Sequence, residues 1–360
     1  MSELELIDSF LAPFGLTREG HRFPSSAGVL MGPGDDCAQL LPSRGKRLIA
    51  TTDAALDGVH FELGRSRPED AGWKALAMNL SDLAAAGARP RWFLCALGVP
   101  IIGMPQTSLM AAARGFGRGM ARLAKQSGCA LVGGNLTRAR QWSLTITALG
   151  EALRPMSRAG ARPGDALVLV GELGAAALGL SLLQQGPARG AAMGNHLVAY
   201  RESLPAGERS ALRAQLRPLP QVEAGLVAAT LASAAIDISD GLLQDLGHLC
   251  ARSGCGAEIA CEHLPRSPQV RAHEARAAKE GAHPYALSLA GGEDYALLLA
   301  VPAARAPALL RRLARQKLRG HTIGRITRRP PAARSPITLL EQGRALPLPA
   351  RFGHDHLARS

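Results

Sequence analysis

Carboxylates in this chain gather where glycine, alanine and hydroxyl residues surround them, company suited to a hard cation held against phosphate oxygens. The loop from Met31 to Asp36 (Met-Gly-Pro-Gly-Asp-Asp) sets two adjacent acids behind two glycines and a proline. Such a turn lets backbone NH groups approach a phosphate closely, although Gly, Pro and Asp also build ordinary surface turns. Thr51, Thr52 and Asp53 follow the apolar Leu48-Ile49-Ala50, so they are expected where a buried strand ends. In open α/β sheets such ends face the ligand crevice, and two hydroxyls with a carboxylate are hard ligands suited to Mg²⁺. Asp82 lies in a helical stretch, Trp73 to Gly87, whose neighbours are nearly all apolar or small, with Asn79 one turn earlier on the same face. A carboxylate there is costly unless it meets a cation or several donors. Asp237, Ser239 and Asp240 close the apolar run Ala234 to Ile238 before Gly241 and a helix; a helix cap explains one of the three. Glu293 and Asp294 follow Gly291-Gly292 and precede another strand.

The elements that must carry these groups read as alternating strands and helices, which predicts an α/β chain with mixed sheets in two domains. Expected in the first are a helix from Glu3 to Leu11, a strand from Arg47 to Thr52 and a helix from Pro68 to Ala86. A strand from Trp92 to Val99, a helix from Ser108 to Ser127 and strands at Ala130 to Val132 and Ser143 to Gly150 follow. The stretch Arg154 to Gly164, rich in Arg, Gly and Pro, reads as a linker, giving domains at 1–154 and 155–345 and a tail at 346–360. The second domain is expected to hold strands at Ala166 to Val170, Ala234 to Ile238 and Ala296 to Val301. Its helices are expected at Gln221 to Leu231, Leu242 to Arg252 and Ala303 to Leu318.

Composition narrows the function. Lys and Arg outnumber Asp and Glu by 42 to 29, but the excess is spread widely, without the basic-aromatic pattern of a nucleic-acid-binding module. The densest stretch, Arg311 to Arg334, begins as an exposed helix face. No apolar run is long and unbroken enough for a membrane span: Ala166 to Leu183 is interrupted by Gly171, Glu172 and Gly174. Six dispersed cysteines and an acidic N-terminus lead us to expect free thiols and a cytoplasmic protein. Cys250, Cys255, Cys261 and His263 cluster in sequence without the paired spacings of a zinc site. Acids without a Cys/His set point to hard cations bridging to phosphates, and no Gly-x4-Gly-Lys-Ser/Thr loop or protein-kinase signature is present.

Six ordered stretches resemble the thiamine-monophosphate kinases: Gly34 to Ala38, Thr51 to Asp53 with Asp57 to Phe61, Asn79 to Ala88, Ser157 to Asp165, Ile236 to Gly247 and Gly291 to Tyr295. Each is short, but the ordered set is specific and spans most of the chain. The resemblance implies a two-domain fold similar to aminoimidazole-ribonucleotide synthetase, a homodimer, and transfer of the ATP γ-phosphoryl group to thiamine monophosphate with several Mg²⁺ ions. It implies metal ligands at Asp36, Thr51, Thr52, Asp53, Asp82, Asp237 and Asp240. Nucleotide contacts are implied at Gly134, Asn135, Arg158 and Ser239, and substrate contacts at His60 and Glu293.

Two stretches depart from the family pattern. Gly133-Gly134-Asn135-Leu136-Thr137 carries Asn135 where the family typically has Asp, so a metal position there keeps an oxygen but loses a charge. The tail reads Arg351-Phe352-Gly353-His354-Asp355-His356, in which Phe352 could either stack on a thiamine ring or anchor the tail. Two other readings stand beside the kinase. One is another ATP-using superfamily member, such as a selenophosphate synthetase, an aminoimidazole-ribonucleotide synthetase or a hydrogenase-maturation dehydratase. The first would need a reactive cysteine near the N-terminus and the last one at the C-terminus, whereas the earliest here is Cys37 inside the phosphate loop and the tail has none, which argues against both. The other is a nucleotide-binding scaffold, motivated by Asn135.

Overall fold

A computed structural model describes residues 2–17, 23–24, 27–33, 36–102, 104–186, 200–329, 335–350 and 352–353. The described residues divide into two compact units: those within 1–83 and 88–153 form the first, and those within 84–87, 154–186 and 200–353 the second. Among the described residues no helix is long and apolar enough to cross a membrane.

In the first unit, helix α1 (Glu3–Leu11) starts at Ser2, whose hydroxyl accepts from the Glu5 amide while the Glu5 carboxylate takes the Ser2 amide. This reciprocal box satisfies two end donors. Strands β1 (Val29–Met31) and β2 (Gln39–Leu40) pair antiparallel. There follow β3 (Arg47–Leu56), α2 (Pro68–Ala85), β4 (Arg89–Val99), α3 (Gln106–Ser127), β5 (Ala130–Arg138) and β6 (Ser143–Ala152). The sheet runs β3-β6-β4-β5, with only β4 and β5 parallel. Beneath it Trp142, Phe116, Leu76 and Leu80 are buried, and Phe116 meets Trp142 edge-on at 5.1 Å.

Two strands outrun their expected ends. β3 continues to Leu56 because β6 offers partners as far as Ser143, so Asp53 sits within a strand rather than at its tip. β5 continues through Gly133, Gly134 and Asn135 to Arg138. Glycine is usually poor in a strand. Here a Cβ at Gly134 would collide with the Cys95 carbonyl of β4, so the close pairing requires its absence.

The second unit holds β7 (Asp165–Val170), α4 (Ala175–Gln185), α5 (Ala206–Leu216), α6 (Val222–Ala228), β8 (Ala234–Ile238), α7 (Leu242–Ser253), β9 (Cys255–Ala260), α8 (Pro268–Lys279), α9 (Ala286–Ala290), β10 (Ala296–Pro302), α10 (Ala306–Arg315), β11 (Gly320–Arg328), β12 (Ile337–Glu341) and β13 (Arg344–Leu346). Its sheet runs β13-β12-β9-β11-β7-β10-β8, antiparallel except between β12 and β9. Alternate residues of β7, β8 and β10 face two cores. Leu167, Leu169, Ile236, Ile238 and Leu298 pack with Leu242, Leu246 and Leu249 of α7. Val168, Val170, Leu297, Leu299 and Val301 pack with Leu309 and Leu313 of α10. Burial on both faces explains why these strands are apolar runs rather than alternating patterns. α10 is shorter than its expected span: Arg305 closes a turn onto the Pro302 carbonyl, and Lys317 takes a positive φ just past the helix.

One buried ion pair ties α8 to α9. Glu274 is 1 % exposed; its carboxylate takes Arg266 Nη1 at 2.9 Å and both the amide and hydroxyl of Ser288 at 2.9 Å. The Arg266 guanidinium also lies over the Tyr285 ring, 4.2 Å from its centroid.

Candidate functional site

In the first unit the β3 pleat sorts the expected ligands. Thr51 and Asp53 share a face with buried Ala55, and Thr51 Oγ1 donates to Asp82 Oδ2 of α2 at 2.5 Å. The apolar side of α2, built on Leu76, Leu80 and Leu83, fixes the rotation that aims Asp82 at Thr51. Asp82 is half-buried rather than enclosed. Asn79, one turn earlier, is fully buried; its Nδ2 donates to the Ala75 carbonyl and its Oδ1 has no hydrogen-bond partner. Thr52 points to the other side of the strand, where its hydroxyl donates to the Ile146 carbonyl at 3.0 Å, so the structure does not bring that hydroxyl to Asp82.

His60 stands in the turn after β3. Its Nδ1 accepts from the Leu56 amide and its carbonyl takes Lys74 Nζ at 2.8 Å. Asp57 closes the same turn by accepting from the Leu63 amide. Asn135 and Gly134 are exposed on β5, and Asp36 is exposed just before β2. Gly34 and Asp35 lie outside the described residues.

The second unit interlocks two loops. Asp245 of α7, a residue the sequence reading did not single out, accepts at one oxygen from the amides of Ser239, Asp240 and Gly241, at 3.0, 3.1 and 3.2 Å. It thereby holds open the turn that presents Asp240. The Glu293 amide donates to the Ser239 carbonyl at 2.6 Å, and the Tyr295 amide to the Ile238 carbonyl at 2.8 Å. Ser239, Asp240 and Glu293 are thus brought together, with Asp237 buried at the end of β8.

Glu293 and Asp294, adjacent in sequence, part company. Asp294 turns inward and accepts from the amides of Gly174 and Ala176 at 2.7 and 3.1 Å, capping α4 from a distant loop. Burial pushes its carboxyl up to about 7 against the pull of those amides. Glu293 takes Gln215 Nε2 of α5 at 2.7 Å. Arg158 is exposed, and its carbonyl accepts the Ser253 hydroxyl at the end of α7. A cavity of about 430 Å³ lies beside the second loop, lined by His283, Leu287, Ala290, Gly291, Gly292 and Gly353 among others. Phe352, next to that last glycine, is 41 % exposed. His354, Asp355 and His356 lie outside the described residues.

The donor set fits Mg²⁺. Among the described residues no three His, Cys, Asp or Glu side chains form a ready-made cage. Mg²⁺ commonly binds through one or two carboxylates together with substrate phosphates, so a cage is not required. Negative charge is in excess at the second unit's acids: burial and the charges of Asp237 and Asp240 push the Asp245 carboxyl up to about 8. A bound cation relieves such crowding. The sulfur cluster offers no comparable site. Cys250, Cys255 and Cys261 are buried free thiols whose burial raises their pKa; of the six cysteines only Cys37 is exposed.

Residues 34–152 match the family pattern of the AIR synthase related protein, N-terminal domain, and residues 162–334 that of its C-terminal domain. A thiamine-monophosphate kinase from Haemophilus influenzae is 32% identical over 92% of this chain and 93% of its own length. The Salmonella typhimurium protein of that name is 37% identical over 76% and 77%. A crystal structure of thiamine-monophosphate kinase from Stenotrophomonas maltophilia superposes with a TM-score of 0.74, at 36% identity, over 96% of this chain and 98% of that one. A structure of AaThiL complexed with AMPPCP and TMP gives 0.67 at 31% identity over 88% and 89%. The hydrogenase maturation protein HypE in complex with ATP shares the fold, at 20% identity and a TM-score of 0.67. This chain belongs to the thiamine-monophosphate kinase family, built from the two AIR synthase related domains.

Proposed function

We propose that this chain transfers the γ-phosphoryl group of ATP to the phosphate of thiamine monophosphate, giving thiamine diphosphate. The observation that carries the reading is likeness over most of the chain to a protein whose structure was solved with AMPPCP and TMP. The bond formed joins a phosphate oxygen of the acceptor to the γ-phosphorus, and the bond broken leaves ADP. Positioning and charge neutralisation supply most of the catalysis in such transfers.

Asp36, Thr51, Asp53, Asp82, Asn135, Asp237 and Asp240 would hold Mg²⁺, which neutralises phosphate charge when bound. Thr52, expected in that set from the family resemblance, faces the other side of β3 with its hydroxyl on the Ile146 carbonyl and is left out of it. Gly134, Asn135, Arg158 and Ser239 would contact the nucleotide, Arg158 through a planar guanidinium suited to phosphate oxygens. His60, Glu293 and Phe352 would contact thiamine monophosphate, Phe352 beside the cavity at Gly291 and Gly292. The protein acts as a cytoplasmic homodimer. The outward row Leu48, Ala50, Thr52 and Ala54 on edge strand β3 supports the dimer, since an exposed apolar edge is seldom left uncovered.

The purified chain, given Mg-ATP and thiamine monophosphate, is expected to yield thiamine diphosphate, identified by chromatography. A folded protein that makes none over a wide Mg²⁺ range sinks the kinase reading and leaves a nucleotide-binding relative. In the active enzyme, Asn135→Asp restores a negative oxygen on β5 and is expected to lower the half-saturating Mg²⁺ concentration several-fold, about the scale of a conserved metal contact. An unchanged Mg²⁺ titration removes Asn135 from the metal set.

A further inference from the structure

We propose that Gln215 is a positioning residue: it holds Glu293 in the orientation in which that carboxylate meets thiamine monophosphate. The inference rests on the substrate reading of Glu293 given above.

Gln215 lies in none of the stretches that mark the family resemblance, and its place comes from helix packing. A Cβ at Gly179 of α4 would collide with the Ala211 carbonyl of α5, so the two helices cross at a separation only glycine permits. That crossing sinks Gln215, one turn beyond Ala211, to 4 % exposure. Its Nε2 donates to Glu293 Oε2 at 2.7 Å, a charge-assisted bond in a partly buried setting. Its Oε1 is buried with no hydrogen-bond partner. A polar side chain half satisfied in a core is a standing cost to folding. Leu or Met would fill the position more favourably, so what the amide provides is the bond to Glu293.

Glu293 needs such a hold. Its φ is +68°, in the left-handed region that non-glycine residues seldom adopt, and its amide is clamped to the Ser239 carbonyl. Backbone clamp and amide donor together fix the residue at both ends, its amide on the Ser239 carbonyl and its carboxylate on Gln215. Residues in strained backbone conformations held by their surroundings cluster at ligand-contacting loops.

Gln215→Met matches the shape, removes the donor and also removes the unsatisfied oxygen. The melting temperature is expected to stay level or rise, while KM for thiamine monophosphate rises about tenfold, the scale of one lost charge-assisted hydrogen bond. KM for ATP should move less than twofold, well inside a tenfold step of 1.4 kcal/mol. Gln215→Glu, similar in size, sets two carboxylates against each other and should raise the same KM further. It also serves if the methionine variant fails to fold. A merely structural Gln215 gives the opposite pattern, a lower melting temperature with KM unchanged, and overturns the proposal.

Glu293→Ala, assayed in parallel, separates the two layers of the argument. If it leaves KM for thiamine monophosphate unchanged, the substrate reading of Glu293 fails and the proposal falls with it. If it raises KM while Gln215→Met does not, the proposal alone fails. The double variant is expected to match Glu293→Ala, because Gln215 acts only through that carboxylate.

Discussion

Asp82→Asn is expected to lower kcat/KM on the order of 100-fold, the scale of losing one preorganised electrostatic contact in an active site. The substitution is close to isosteric, and its side-chain carbonyl can still accept the Thr51 hydroxyl, so the α2 to β3 contact survives. What is lost is a charge in a half-buried position on a helix whose Leu80, Leu83 and Ala84 are buried. A carboxylate there is stabilised by a cation far more than an amide is. The half-saturating Mg²⁺ concentration should therefore rise, and excess Mg²⁺ should recover part of the rate. Thr51→Val, which removes only the donor that orients Asp82, should cost about tenfold, as loss of a supporting contact does at metal sites. Steady-state kinetics over a Mg²⁺ series check both variants. An Asp82→Asn enzyme with native rate and Mg²⁺ dependence would make Asp82 a structural acid bonded to Thr51, with no part in the chemistry.

How far this site was legible in the sequence depended on how local its causes are. The β8 to α7 turn was readable because the run Ala234 to Ile238, apolar but for Asp237, is followed directly by Ser239, Asp240 and Gly241, and the strand runs as expected from Ala234 to Ile238. The limits of β3 and β5 were not, because strand length is set by a partner: β6 extends β3 past Asp53, and β4 extends β5 past Gly134. Period-two alternation is a local signal within β3. Thr51 and Thr52 are neighbours in sequence and therefore point to opposite faces of β3. The separate fates of Glu293 and Asp294 had no local signal, since the amides that take Asp294 belong to Gly174 and Ala176. Asp245 had a signal: it stands four residues after Gly241 and can reach back to the amides before its own helix. Gln215 had none, because only the crossing of α4 and α5 brings it to Glu293.

Glu274→Ala is expected to destabilise the second unit by about 3 to 5 kcal/mol, the usual result of removing one partner from a buried ion pair. The cost arises because three donors lose their acceptor together. The Arg266 side chain is 13 % exposed, and both its charge and the Ser288 amide and hydroxyl have little access to water. The contact of the Arg266 guanidinium with the Tyr285 ring keeps it from swinging outward to recover its hydration. Calorimetric melting should place the second unit's transition lower by on the order of 10 °C. Glu274→Gln, which keeps an oxygen for Ser288 but discards the charge that pairs with Arg266, should fall between the two. Activity is expected to suffer before the unit unfolds, because α9 runs from Ala286 into Ala290 and directly on to Gly291, Gly292 and Glu293. Loosening Ser288 frees the helix that sets the entry to that loop, so KM for thiamine monophosphate should rise at temperatures where circular dichroism is still native. A variant that melts as wild type would mean that Arg266 and Ser288 find water in place of Glu274, and that the helix is held by its apolar contacts at Leu289 instead.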